Sequence, residues 1–293
     1  MATRLNAFKP QQNVLALTRN LRHRSRLARM PCKCQQEAFT VVGQGRVGAA
    51  IAEMGTQDVL IGRGEKIPES PAGPVIVCTR NDDLNGVVES TPSGRRKDLV
   101  FIQNGMLQPW LDEKGLSNST QVLVYFAVAK KGEKPQDGKT DKNPEGLTAA
   151  WGPHAEAVAR RLHNNGLSCG LPGKTAFKQA MLEKLVWICA YMVVGARHEA
   201  KVGEVEQKHK DEVTLLIEEL GDGGAQALGI SMADGYVDRL HAYSRSVAHF
   251  PTAVKEFKWR NGWFYSHTKA AQAEGKADPY PTHTKWLAEL GAI

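Results

Sequence analysis

The stretch "FTVVGQGRVGAAIAEMG", residues 39 to 55, constrains the fold more than any other part of the chain. An apolar β-type run leads into Gly43, Gly45 and Gly48, spaced G-x-G-x-x-G, and then into a small-residue segment of helical periodicity. Such a glycine set is weak evidence alone; a strand before it and a helix after it make it a dinucleotide-binding turn. Gly43 then permits the tight turn, Gly45 lets backbone approach a pyrophosphate, and Gly48 allows close helix–strand contact. Gln44, Arg46 and Val47 complete the turn, so 43–48 is the candidate phosphate-binding segment, with the phosphates at a helix N-terminus.

The next strand, Asp58 to Ile61, runs not into an acidic residue but into "GRGEK". Arg63 lies about twenty residues past Gly43, where a guanidinium can pair with the 2′-phosphate of NADP. NADP(H) is therefore the expected cofactor. The competing reading is a solvated arginine beside Glu65 and Lys66. Further apolar runs, Pro74 to Arg80, Asp98 to Gly105 and Gln121 to Ala129, lack alternation, as strands covered on both faces do. From about Thr175 the pattern becomes helical through five segments. The expected fold is α/β: a Rossmann-type parallel-sheet domain (37–173) followed by an all-helical domain for substrate and dimerisation (174–293), with the cleft between them as the site. "GDGG" (Gly221 to Gly224) reads as a helix break and Lys130 to Gly146 as an exposed loop.

The charge of +7 is misleading about partners. Residues 1 to 36 carry eight Lys and Arg and no Asp or Glu, so the remaining chain is at about −1. This arginine-rich, acid-free leader matches an organelle transit peptide, with chloroplast favoured over mitochondrion. A basic arm that binds nucleic acid is the competing reading; for the mature protein no nucleic-acid partner is expected. The longest apolar run, Leu185 to Ala196, is too short for a membrane span and reads as a buried helix. Cys32, Cys34, Cys78, Cys169 and Cys189 are too scattered for a disulfide framework or zinc site. The histidines, including His198, His209, His241 and His283, show no ligand pairing and read as caps or surface residues, so no metal is expected.

Taken in order, "GQGRVG", "QNG" (Gln103 to Gly105), "EKL" (Glu183 to Leu185) and "EFKWRNG" (Glu256 to Gly262) resemble the ketopantoate reductases, within the dehydrogenases that have a 6-phosphogluconate-dehydrogenase-like C-terminal domain. The resemblance runs from Phe39 to the C-terminus, and the last motif is similar to the family's E-I-D-x-I-N-G. It implies reduction of a 2-oxo acid or related carbonyl compound by NADPH. Lys184 would be the general acid, Glu256 would help bind substrate and orient that lysine, and Asn104 would sit at the nicotinamide–substrate boundary. A lysine opening an apolar helix is desolvated, which lowers its pKa towards a useful range. An end-of-helix lysine, a surface Glu256 and an Asn-Gly turn are the plainer readings.

The sequence departs from the family where it usually carries asparagines four and eight positions after the lysine: here they are Ile188 and Met192, on the same helical face. The family's carboxylate-binding serine, in "P-S-S-M", falls at Thr252, after which the loop to Glu256 is shorter. These changes leave a second reading open, a non-catalytic dinucleotide-binding sensor or assembly subunit that keeps the fold. A homodimer is also left open.

Overall fold

The computed structural model describes residues 37–293; the leader assignment for 1–36, with Cys32, Cys34 and the organelle address, lies outside the described residues. The first half runs β1 (Thr40–Val42), α1 (Arg46–Glu53), β2 (Val59–Ile61), β3 (Val75–Val77), α2 (Leu84–Ser90), β4 (Leu99–Phe101), α3 (Gln108–Glu113), β5 (Thr120–Leu123), β6 (Ala149–Trp151) and α4 (Ala155–Asn164). These strands form one sheet in the order β2-β1-β3-β4-β5-β6. The first five are parallel, with Val41 opposite both Leu60 and Ile76, and Val100 opposite Ile76 and Thr120. Strand side chains alternate between faces. Val41, Ile76, Val100 and Val122 therefore join one apolar cluster with α1 and α4, while Val42, Val75, Val77, Leu99 and Phe101 join another with α2 and α3. Covering both faces explains the unbroken Val/Ile/Leu runs. The expected strands are all present but shorter. β6, antiparallel to β5, was not foreseen, because "AAW" carries no β-branched residue.

The second half is helical: α5 (Lys174–Arg197), α6 (Val202–Lys208), α7 (Lys210–Leu228), α8 (Tyr236–Ser246), α9 (Asn261–Ala273) and α10 (Pro281–Glu289). α5 is long and apolar enough to cross a membrane, and 78% of its most apolar window is buried inside the protein. α7, α6, α8 and α10 pack around it, and its outer side meets β5 and β6. Being apolar on every side is what a helix in such a position requires. One apolar cluster extends from Leu123, Tyr125 and Ala149 of the sheet half through α5 to Phe264 and Leu287.

Two sequence expectations are corrected. α7 runs straight through Gly221 to Gly224, where a break was expected. A Cβ would lie 2.7 Å from the Tyr236 hydroxyl oxygen at Gly221, 2.3 Å from the Tyr280 ring at Gly223 and 2.8 Å from Leu182 at Gly224. These glycines admit neighbours pressed against the helix, and that packing outweighs their poor propensity. His241 and His283, expected as caps or surface residues, are buried. His241 bridges Tyr191 (2.7 Å) and Thr214 (3.0 Å), and His283 meets Asn261 Oδ1 at 2.9 Å, with burial lowering its pKa to about 4.

Candidate active site

The three glycines have three separate environments. Gly43 has φ +109°, where other residues are strained, and Gly48 lies so close to it that a Cβ would sit 1.9 Å from the Gly43 carbonyl oxygen. Around Gly45 nothing lies within 4 Å of where a Cβ would be. Gly45 is also the N-cap of α1, and no side chain of the described residues caps that helix. The open side thus presents free backbone amides at a helix N-terminus, which suits a pyrophosphate. The residues therefore fit a dinucleotide. Gln44 folds over the end of β2, its amide nitrogen 2.8 Å from a Cβ placed on Gly62. Arg46 donates to the Ala129 carbonyl at 2.9 Å, and Val47 packs against the first sheet cluster. Arg63, just past β2, is exposed and forms no ion pair among the described residues, whereas Glu65 turns back to accept the Gly62 amide.

Parallel strands bring their carboxyl ends to one edge, where open α/β sheets hold ligands. Beyond β4, the Gln103 amide donates to the carbonyls of Val77 (2.8 Å) and Thr79 (3.2 Å), locking the ends of β3 and β4 together. Asn104 follows, its carbonyl taken by Asn81 at 3.0 Å. At Gly105 (φ +121°) the turn presses onto the helical half: Met106 N–H donates to the Trp259 carbonyl at 2.7 Å, and a Cβ on Gly105 would lie 2.5 Å from that oxygen.

Lys184 reaches this edge from α5. The helix starts ten residues earlier, at Lys174, so Lys184 lies in its interior and does not open it. Its side chain is buried, donates to the carbonyl of Val124 just past β5, and lies 4.3 Å from the Tyr125 ring centroid. Burial, with the charge of Arg260 adding to it, lowers this ammonium from 10.5 to about 7. No carboxylate of the described residues opposes that shift. Glu183 is held by Arg239 through contacts of 2.6 and 3.2 Å. Glu256, expected to orient Lys184, is instead ion-paired with Arg260 and has φ +48°.

The remaining expected residues separate. Ile188 is part of the buried core and Met192 is packed against it. Thr252 does not reach Lys184: its hydroxyl donates to the Ala200 carbonyl at 2.6 Å, and it lies against Gly195, eleven residues further along α5. At 1.5 Å per residue that is about 16 Å away. Thr252 instead lines a cavity of about 800 Å³ with Gly195, Ala196, Glu199, Val254 and Phe257.

Arg260 and Tyr125 were missed. Tyr125 gave no signal, but Arg260 stands where E-I-D-x-I-N-G has an apolar residue. A third grouping also escaped the sequence: the donor atoms of His198, His209 and Glu212 lie within 4.8 Å of one another. The two rings stack in nearly parallel planes, 3.7 Å apart and 12° inclined, and Arg197 pairs with Glu212. Imidazole lone pairs lie in the ring plane, so stacked rings do not aim at one ion.

No protein-family model and no curated protein matches the chain. Solved structures do. A dimeric ketopantoate reductase from Staphylococcus aureus aligns over 87% of this chain and 98% of its own, with a TM-score of 0.61 and 17% identity. A ketopantoate reductase from Ralstonia eutropha covers 87% and 97%, at 0.62 and 16%. The chain has the ketopantoate reductase fold. D-mandelate dehydrogenase, in its ternary structure with NADH and anilino(oxo)acetate, shares that fold over 87% of this chain and 100% of its own, at 0.58 and 14% identity. The ketopantoate reductase fold thus accommodates NADH in at least one protein.

Proposed function

We propose that this protein is an NADPH-dependent reductase of a 2-oxo acid, of the ketopantoate reductase type. Lys184 carries the reading: a buried ammonium with a pKa near 7 and no carboxylate partner among the described residues, bonded to the Val124 carbonyl just past the carboxyl end of β5. When bound, the reduced dinucleotide supplies hydride to the carbonyl carbon. As the carbon–oxygen π pair moves onto oxygen, the Lys184 ammonium stabilises the developing charge and gives up its proton, yielding the alcohol. Water then reprotonates the amine. The amides of 46–48 hold the phosphates, and Arg63 takes the 2′-phosphate while Glu65 is tied to Gly62.

The test is turnover of NADPH against a panel of 2-oxo acids. Lys184→Ala should lower the rate by about 10²-fold or more with NADPH affinity unchanged. The proton donor must be charged to act. The reduction rate should therefore be full below the Lys184 pKa and fall as pH rises through about 7. Arg63→Ala should weaken NADPH more than NADH. Undiminished turnover in Lys184→Ala removes that residue from the mechanism, and equal loss of both cofactors in Arg63→Ala removes the NADPH preference. Ile188 and Met192, apolar where amides would bind a polar substrate, favour a second reading, a dinucleotide-binding protein without catalysis. NADPH binding with no turnover across the panel would decide for it.

A further inference from the structure

We propose that Arg260 is the substrate-binding residue that takes the carboxylate of the 2-oxo acid, with Glu256 holding its guanidinium in place until substrate arrives. The inference rests on the reductase reading above and assigns a role to a residue absent from the family's motif. Arg260 is fixed by its backbone at the junction of the two halves, directly after Trp259, whose carbonyl accepts the Met106 amide beside the Asn104–Gly105 turn. Its side chain is 15% exposed, and its charge is one cause of the lowered Lys184 pKa, so the two cations share one local field. Glu256 is the one hydrogen-bond partner of the guanidinium among the described residues, through a single nitrogen, and the Nε–H is buried with no acceptor.

A buried guanidinium N–H without an acceptor is costly even where the side chain is 15% exposed, and a carboxylate is the acceptor whose geometry fits it. The charges point the same way. With Lys184 protonated, Lys184 and Arg260 outnumber Glu256 by one positive charge, which matches a monocarboxylate. In a 2-oxo acid the carboxylate and ketone oxygens sit on adjacent carbons, so one small molecule can meet Arg260 with the first and Lys184 with the second. Where the family has asparagines on α5, this chain has Ile188 and Met192; the polar grip has moved from α5 to the start of α9, leaving an apolar wall for the substrate's other substituent.

The experiment compares an aromatic 2-oxo acid with its methyl ester in the unmutated protein, Arg260→Met and Arg260→Lys. Measured well below pH 7, where Lys184 is protonated with or without the charge of Arg260, Arg260→Met should raise KM for the acid about 10- to 100-fold, change kcat little and affect the ester far less; Arg260→Lys should restore part of the loss. Binding of anilino(oxo)acetate to the NADPH-loaded protein, measured by calorimetry, reads the same contact without turnover and should be lost in Arg260→Met. Equal effects on acid and ester, or undiminished anilino(oxo)acetate binding by Arg260→Met, would overturn the assignment. If the unmutated protein binds this acid in an Arg260-dependent way yet turns nothing over, the anchor stands and the reductase reading falls. Should Arg260→Met not fold, Arg260→Lys decides: equal KM values for acid and ester relative to the unmutated protein overturn the proposal, and a selective loss on the acid supports it.

Discussion

Gly45 and Gly48 look alike in the motif and have opposite duties in the structure. Gly45 has φ −71°, a conformation any residue adopts, and open space where a side chain would go. Gly48 faces the backbone of Gly43, which cannot move aside. Gly45→Ala should therefore leave thermal stability nearly unchanged but weaken NADPH by about tenfold or more, because the added methyl occupies the approach to the phosphates. Gly48→Ala should instead destabilise the fold itself. Thermal melts paired with NADPH titration read both effects, and wild-type affinity in Gly45→Ala would refute the phosphate assignment. Lys184 shows a similar divergence between type and environment: its place on α5 was readable, but its low pKa follows first from burial in the folded protein and then from the charge of Arg260, 76 residues further along the chain.

Among the elements, α4 is attached to the sheet by an ion pair that the sequence does not announce. Asp58, just before β2, and Arg161 of α4 are 103 residues apart, and their side chains are 3% and 2% exposed. Arg161 also donates to the Glu37 carbonyl at 2.7 Å and lies 3.9 Å from the Phe39 ring centroid, while Asp58 accepts the Phe39 amide at 2.9 Å. One pair thus joins β1, β2 and α4 at the amino ends of the strands, the edge opposite the phosphate turn. Removing one partner strands a buried charge, so Asp58→Ala should cost about 3–5 kcal/mol by denaturant unfolding. A loss below about 1 kcal/mol would mean that water already reaches the site. α7 makes the complementary point: Gly221, Gly223 and Gly224 read as a break until the residues pressed against them are known.

At the scale of the molecule, the described residues 37–293 belong to one compact unit. The apolar cluster around α5 includes Leu123, Tyr125 and Ala149, so sheet and helices share buried surface. Shared burial couples their unfolding. Calorimetry should show a single transition, moved as a whole by NADPH; at a hundred times Kd the stabilisation is about 2.7 kcal/mol. Two transitions, with only the first responding to NADPH, would show that the halves unfold independently.

Local chemistry was legible in the sequence wherever a single segment carries it. The glycine turn, the apolar parallel strands and the helical second half depend on backbone conformation and short-range periodicity, which neighbouring residues determine. The tertiary structure decided everything that depends on residues distant in the chain. It tied Glu256 to Arg260 and not to Lys184, carried Thr252 about 16 Å along α5 from the lysine, ran α7 through its glycines and stacked His198 on His209. The physical reason is that a side chain's partner and burial depend on which elements pack together, and pairing and burial in turn fix the charge that a buried group carries.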